Sequence, residues 1–168
     1  RYKLLDLIDL RINSKRVIID NKLYLSNNDN DFKENIRQLK IGLKLNKNIE
    51  KIWFEHNNLG KNPEALKEIF SSIENCENLK EIGFANEKLG LCPLNIKIIF
   101  NALKKNEKLE SIKIWNDDLG SNIENIKILT QGLKEIKNLK GLGLCNNNLG
   151  KNTKNIKELA DYLKDNNK

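Results

Sequence analysis

At 168 residues with 39% hydrophobic side chains, the chain has the length and apolar content of a single domain-sized unit with a packed core. Its net charge of +7 comes mostly from lysine, with arginine only at Arg1, Arg11, Arg16 and Arg37, a balance that serves solubility and weak steering better than base reading. No run of about 18 apolar residues occurs, which excludes a helical membrane span.

The first predicted element is a leading helix or cap over 1–15, where Leu5, Ile8 and Ile12 fall at helical spacing and Leu4 and Leu7 widen the apolar stripe. A degenerate repeat is expected over 16–47. In it Leu23 and Leu25 take the inward strand positions, Tyr24 stands between them facing out, and Asn28 starts the turn. A helix follows from about Phe32 to Lys44, with Ile36, Leu39 and Leu43 on its inner side.

From there the chain repeats every thirty residues, with units expected over 48–77, 78–107, 108–137 and 138–168. Each opens with a twelve-residue phrase, clearest at 139–150 as L-K-G-L-G-L-C-N-N-N-L-G and at 109–120 as L-E-S-I-K-I-W-N-D-D-L-G. Apolar residues hold positions 1, 4, 6 and 11. Alternation makes the middle of the phrase a short strand, with 4 and 6 inward (Phe54 and Phe84 among them) and 3, 5 and 7 outward. Each remainder is a helix with one apolar stripe: Leu66, Ile69 and Ile73; Ile96, Ile99 and Leu103; Ile126, Leu129 and Leu133; Ile156, Leu159 and Leu163. Asn62 before Pro63, Asn122 and Asn152 read as helix N-caps, and Cys92 before Pro93 holds the matching place.

The phrase resembles the leucine-rich repeat, L-x-x-L-x-L-x-x-N-x-L, and its closing Leu-Gly with a long helical remainder resembles the ribonuclease-inhibitor subfamily. The resemblance implies an α/β solenoid: a right-handed βα arc with a parallel sheet on the concave face and helices on the convex face. It also implies a binding scaffold, since the family presents varied partners with one framework. Position 9 departs from the pattern, because Glu87 and Asp117 replace the Asn seen at Asn57 and Asn147, and an ionised carboxylate can only accept hydrogen bonds. Asn86 and Asn116, one residue earlier, are the substitutes if the middle turns shift.

Catalysis has little to work with. His56 is the lone histidine and reads as a turn residue on the rim, Asp117 and Asp118 lie in a turn, and the repeated Leu-Gly lacks the G-K-[ST] ending of a phosphate loop. No catalytic residue, metal ligand or cofactor site is expected. Cys76, Cys92 and Cys145 sit at three different repeat positions, an odd set without zinc spacing, which points to free thiols and an intracellular, cytoplasmic setting. Nucleic acid is the weaker partner class, because Lys51, Lys80, Lys113 and Lys140 on the outward positions are offset by Glu50, Glu55, Glu81 and Glu110. The resemblance carries one more alternative, a regulator of a small GTPase, similar to the GTPase-activating protein for Ran; the outward strand positions offer no arginine for it.

The outward positions do offer aromatic residues. Tyr24, Trp53 and Trp115 are expected to be exposed on the concave face, with Glu55, Lys113 and Cys145 around them and Gly83, Gly141 and Gly143 lowering the surface between. The expected function is a monomeric, non-enzymatic scaffold that binds a protein or peptide there. The chain begins at Arg1 without a Met and is expected to be a piece of a longer protein.

Overall fold

The computed structural model describes residues 15–20 and 29–166, with side chains over 15–19 and 32–166. The expected leading helix, apart from Lys15, and Leu23, Tyr24, Leu25 and Asn28 lie outside the described residues. Five strands, β1 (Arg16–Asp20), β2 (Lys51–Glu55), β3 (Glu81–Ala85), β4 (Ser111–Trp115) and β5 (Gly141–Gly143), form one parallel sheet in sequence order. Helices α1 (Asp29–Leu45), α2 (Pro63–Ile73), α3 (Pro93–Leu103), α4 (Ile123–Lys134) and α5 (Thr153–Asp165) follow the strands in turn. A 3-10 turn precedes each of the last four.

The thirty-residue period becomes strand register. Ile52 pairs with Ile82, Ile82 with Ile112 and Ile112 with Leu142, while Phe54 pairs with Phe84 and Phe84 with Ile114. Equivalent side chains therefore stack on one another. The Phe54 and Phe84 rings lie 5.8 Å apart and nearly parallel at 10°, with Phe70 of α2 closing on Phe84 at 6.0 Å. Burying each such side chain contributes roughly 1.5 to 3 kcal/mol, so a repeat draws its stability from the neighbours it stacks on.

The first strand differs from expectation. Val17 and Ile19, not Leu23 and Leu25, pair with Ile52 and Phe54 and hold the inward positions. The Val-Ile-Ile run is β-branched throughout, which suits a strand and masks the alternation that marks the later copies. It also stands 35 residues before its partners (52 minus 17) instead of 30, so the period passes over it. Ile18, rather than Tyr24, is the β1 residue paired with Trp53.

The helices begin as their signals require. Asn62 Oδ1 accepts from the Ala65 amide at 3.0 Å, Asn122 Oδ1 from Glu124 at 3.0 Å and Asn152 Oδ1 from Lys154 at 2.9 Å. Cys92 makes no side-chain cap bond, and Pro93 alone marks that start. A second asparagine signal is internal: Asn95, Asn125 and Asn155 are buried, and each Nδ2 donates to the glycine carbonyl closing the previous phrase, Gly60, Gly90 and Gly120, at 2.8 to 2.9 Å. The last helix departs from the expected inner stripe. Ile156 is 50% and Leu163 58% exposed, whereas Ile126 and Leu133 are buried, because α5 packs on α4 and no described element covers its other side.

The turns hold a left-handed residue at positions 8 and 10 of every regular phrase: His56 and Asn58, Asn86 and Lys88, Asn116 and Asp118, Asn146 and Asn148, with φ between 52° and 61°. Asparagine tolerates this region best among non-glycine residues, which accounts for its frequency here. The middle turns do not shift, so Asn86 and Asn116 stay on the rim, and Glu87 and Asp117 are buried in the asparagine's place. Glu87 Oε1 accepts from the backbone and side-chain amides of Asn57 at 3.0 and 2.8 Å, and Oε2 from Leu59 at 2.9 Å. Asp117 Oδ1 accepts from Leu89 at 3.0 Å, while its buried Oδ2 finds no partner among the described residues. Burial pushes the Asp117 carboxyl up to about 7, against the pull of the Leu89 amide and aided by the negative charge of Glu87. Burial also raises Glu87, though its three donors hold it back.

Position 2, at the entry to each strand, alternates in charge: Lys15, Glu50, Lys80, Glu110, Lys140. Glu50 bridges Lys15 at 3.0 Å and Lys80 at 3.1 Å, and Glu110 meets Lys140 at 2.8 Å.

Candidate partner-binding surface

Trp53, Gly83, Lys113 and Gly143 are register partners at position 5 of β2 to β5, and Ala85 and Trp115 are partners at position 7. This puts the tryptophans on one sheet face, opposite the helices, but their surroundings differ. Trp53 is only 6% exposed and so is not the open ring expected. Its indole lies across β3, over Gly83. A Cβ added at Gly83 would come within 2.4 to 2.5 Å of the ring carbons, so the glycine is the seat of the ring and not an open approach to the backbone. The indole N–H donates to Glu81 Oε1 at 3.0 Å, satisfying the one polar atom that burial would penalise.

Trp115 closes the far side. Its ring meets Trp53 edge to face, with centroids 5.2 Å apart and planes at 65°, and it is 41% exposed. The two rings therefore touch and form one cluster. Lys113 Nζ stands 5.5 Å from the Trp53 ring centre and 3.3 Å from Glu81 Oε2, so one cation serves ring and carboxylate together. Lys51 approaches the same carboxylate at 3.8 Å. Partial burial alone would raise the Glu81 carboxyl; the Trp53 and Lys113 hydrogen bonds and the charges of Lys113 and Lys51 outweigh it and leave the group below its usual range. Glu81, which the sequence offers only as a counterweight to lysine, is the hub of the cluster. The signal for it was its place at position 3 of β3, beside a tryptophan on one neighbouring strand and a lysine on the other.

Among the other expected site residues, Glu55 is half-buried at the end of β2 and Gly143 half-buried in β5, where an added Cβ would just touch Lys113 and the Trp115 nitrogen at 3.4 Å. Cys145 is exposed and carries a free thiol, and Tyr24 lies outside the described residues. Along the rim, His56, Asn86 and Asn116 form a side-chain chain from repeat to repeat, with Asn86 reaching His56 Nε2 at 3.0 Å and Asn116 donating to Asn86. Both lysines beside the tryptophans, Lys51 and Lys113, are paired to Glu81, so this patch is not a strip of uncompensated cations. Among the described residues no group of three His, Cys, Asp or Glu side chains stands close enough to hold a metal, and no helix is long and apolar enough to cross a membrane.

The chain matches no family model and no curated protein. Among solved structures it is similar to one titled Leiomodin-1 actin-binding site 2, with a TM-score of 0.61 and 16% sequence identity, over 96% of this chain and 85% of that one. The fold is a leucine-rich-repeat solenoid. At this identity the likeness concerns architecture, and the solenoid presents the tryptophan cluster on its sheet face.

Proposed function

We propose that the chain is a protein-interaction module, of the ribonuclease-inhibitor-like kind, that binds a protein or peptide on the concave face with Trp115 as its anchor. The observation that carries this reading is the asymmetry of the two rings. Trp53 is spent on structure, hydrogen-bonded to Glu81 and packed on Gly83, and it holds Trp115 edge-on with two-fifths of its surface facing solvent. A rigid, half-exposed tryptophan beside the low surface of Gly143 offers large contact area at little ordering cost, the pattern of an interface hot spot. The three free thiols support an intracellular setting.

The test is a binding series with Trp115→Ala. Actin, monomeric and filamentous, is the first partner to try, because the structurally similar chain is titled an actin-binding site. Cross-linking to lysate proteins provides the wider search. Trp115→Ala should weaken binding roughly thirtyfold, equivalent to about 2 kcal/mol, with the melting temperature nearly unchanged. Trp53→Ala should lower both binding and stability, since it empties a buried site. A partner that binds Trp115→Ala as tightly as the native chain would move the site off this face.

A further inference from the structure

Trp115 carries one polar atom, and its surroundings say what a partner must bring. A Cβ added at Gly143 would stand 3.4 Å from Trp115 Nε1, so the indole N–H is held beside the glycine of β5, and a side chain there would begin to cover it. Among the described residues nothing accepts from this N–H, whereas the N–H of Trp53 is taken by Glu81 at 3.0 Å. β4 lies between β3 and β5, so the opening belongs to the interior of the sheet.

The rest of the outward row of β4 also donates. Lys113 spends one hydrogen on Glu81 at 3.3 Å and has others to give. Ser111 is half-buried, and a Cβ added at Gly141 would lie 3.5 Å from its hydroxyl oxygen. The carboxylates of this face are engaged or distant: Glu81 serves Trp53, Lys113 and Lys51, and Glu55 stands on β2, two strands away. Two lysines against two glutamates leave no net charge, so the row presents donors without a field that would call for an anion. A chain with carbonyls to offer and no N–H groups to satisfy suits it best. An ordinary extended peptide brings both in equal number, and an N–H pressed against this row would find no free acceptor, at a cost comparable to a lost hydrogen bond. Proline keeps the carbonyl, has no N–H and adds an apolar ring.

We propose, resting on the reading of Trp115 as the anchor, that the outward row of β4 binds a proline-rich segment of a partner protein, with a backbone carbonyl accepting from the Trp115 indole N–H and a proline ring packed on the tryptophan pair. In the polyproline II conformation such a segment rises about 3.1 Å per residue against about 3.3 Å for a strand, so it keeps pace with Ser111, Lys113 and Trp115 over roughly four residues. Its backbone is extended before it binds, and little ordering is lost on the sheet.

The chain has two tryptophans, so the nitrogen-15-labelled protein gives two indole N–H signals, and Trp115→Phe identifies one by removing it. A ten-residue polyproline peptide should move the Trp115 signal saturably and the Trp53 signal much less, since Glu81 holds the latter. A Gly-Ser peptide of equal length should move neither. Trp115→Phe, which keeps a ring but loses the donor, should weaken polyproline binding about five- to tenfold, and Trp115→Ala at least about thirtyfold. A Trp115 signal that stays still at millimolar polyproline overturns the proposal, as does equal binding by the Gly-Ser peptide or by Trp115→Phe. The anchor reading falls separately. With polyproline inert, a protein partner that Trp115→Ala weakens removes only the proline class, whereas one that Trp115→Ala leaves unchanged removes both.

Discussion

The outer and middle turns of the solenoid solve one problem with different chemistry. At Asn57 and Asn147 a buried amide does two jobs. Asn147 Oδ1 accepts from Asp117 at 3.0 Å, and its Nδ2 donates to the Ile114 and Cys145 carbonyls at 2.6 and 3.1 Å. The middle turns keep the same backbone but install carboxylates, and the two behave differently. Glu87, one methylene longer, turns both oxygens toward donors. Asp117 has the shape of asparagine, and its second oxygen, standing where asparagine would present a donating amide, finds no partner among the described residues. Side-chain length thus decides which buried acid finds donors for both oxygens and which leaves one without a partner among the described residues.

The largest test of this difference is Glu87→Ala, which strips the acceptor from the buried backbone amides of Asn57 and Leu59 and one of three acceptors from Asn57 Nδ2, and should destabilise the chain by about 3 to 5 kcal/mol in denaturant unfolding. Glu87→Gln comes next. Its new amide would face the Asn57 or Leu59 N–H, donor against donor, at a cost of about 1 to 3 kcal/mol; a neutral result would show that Glu87 is not acting as a two-sided acceptor.

Asp117→Asn should have the opposite sign. Restoring the donating amide should stabilise the chain by about 1 to 2 kcal/mol at pH 8. Because the folded carboxyl sits at about 7, above its ordinary 3.8, the fold binds the proton more tightly than the unfolded chain. The resulting stability is complete below about pH 4 and is lost as pH rises through 7. Asp117→Asn should remove most of that decline, which thermal melts from pH 4 to 8 would read directly. Burial raises the Glu87 carboxyl in the same direction. The smallest effect is expected from Asn147→Asp, which turns an outer turn into a middle one: a loss of about 1 kcal/mol above pH 7 that shrinks on acidification.

Much of this architecture was legible before any coordinates. The thirty-residue interval set the register of β2 to β5, the stacking of Phe54 on Phe84 and the caps at Asn62, Asn122 and Asn152, because a repeat makes one local pattern predict every neighbour. The first strand was not legible, since Val17, Ile18 and Ile19 break both the interval and the alternation. The burial of Trp53 was not legible either. Alternation fixes which face a side chain leaves from but not what lies across the next strand, and it took Gly83 and Glu81 together to fold the ring down. The exposure of Ile156 and Leu163 was hidden for the converse reason: their sequence environment matches that of buried residues, and only the neighbour differs.

The alternating row at position 2 bears on how such a chain can change its length. Removing one regular repeat brings two residues of the same sign side by side: without the unit that carries Glu50, Lys15 would face Lys80. Removing two adjacent units keeps every contact between unlike charges. Each exposed pair contributes little, yet like charges directly opposite act against pairing to a similar small extent. The row therefore works as a parity check on copy number, favouring gain or loss of repeats by twos. It also makes a misaligned strand one repeat out of place less favourable than one displaced by two.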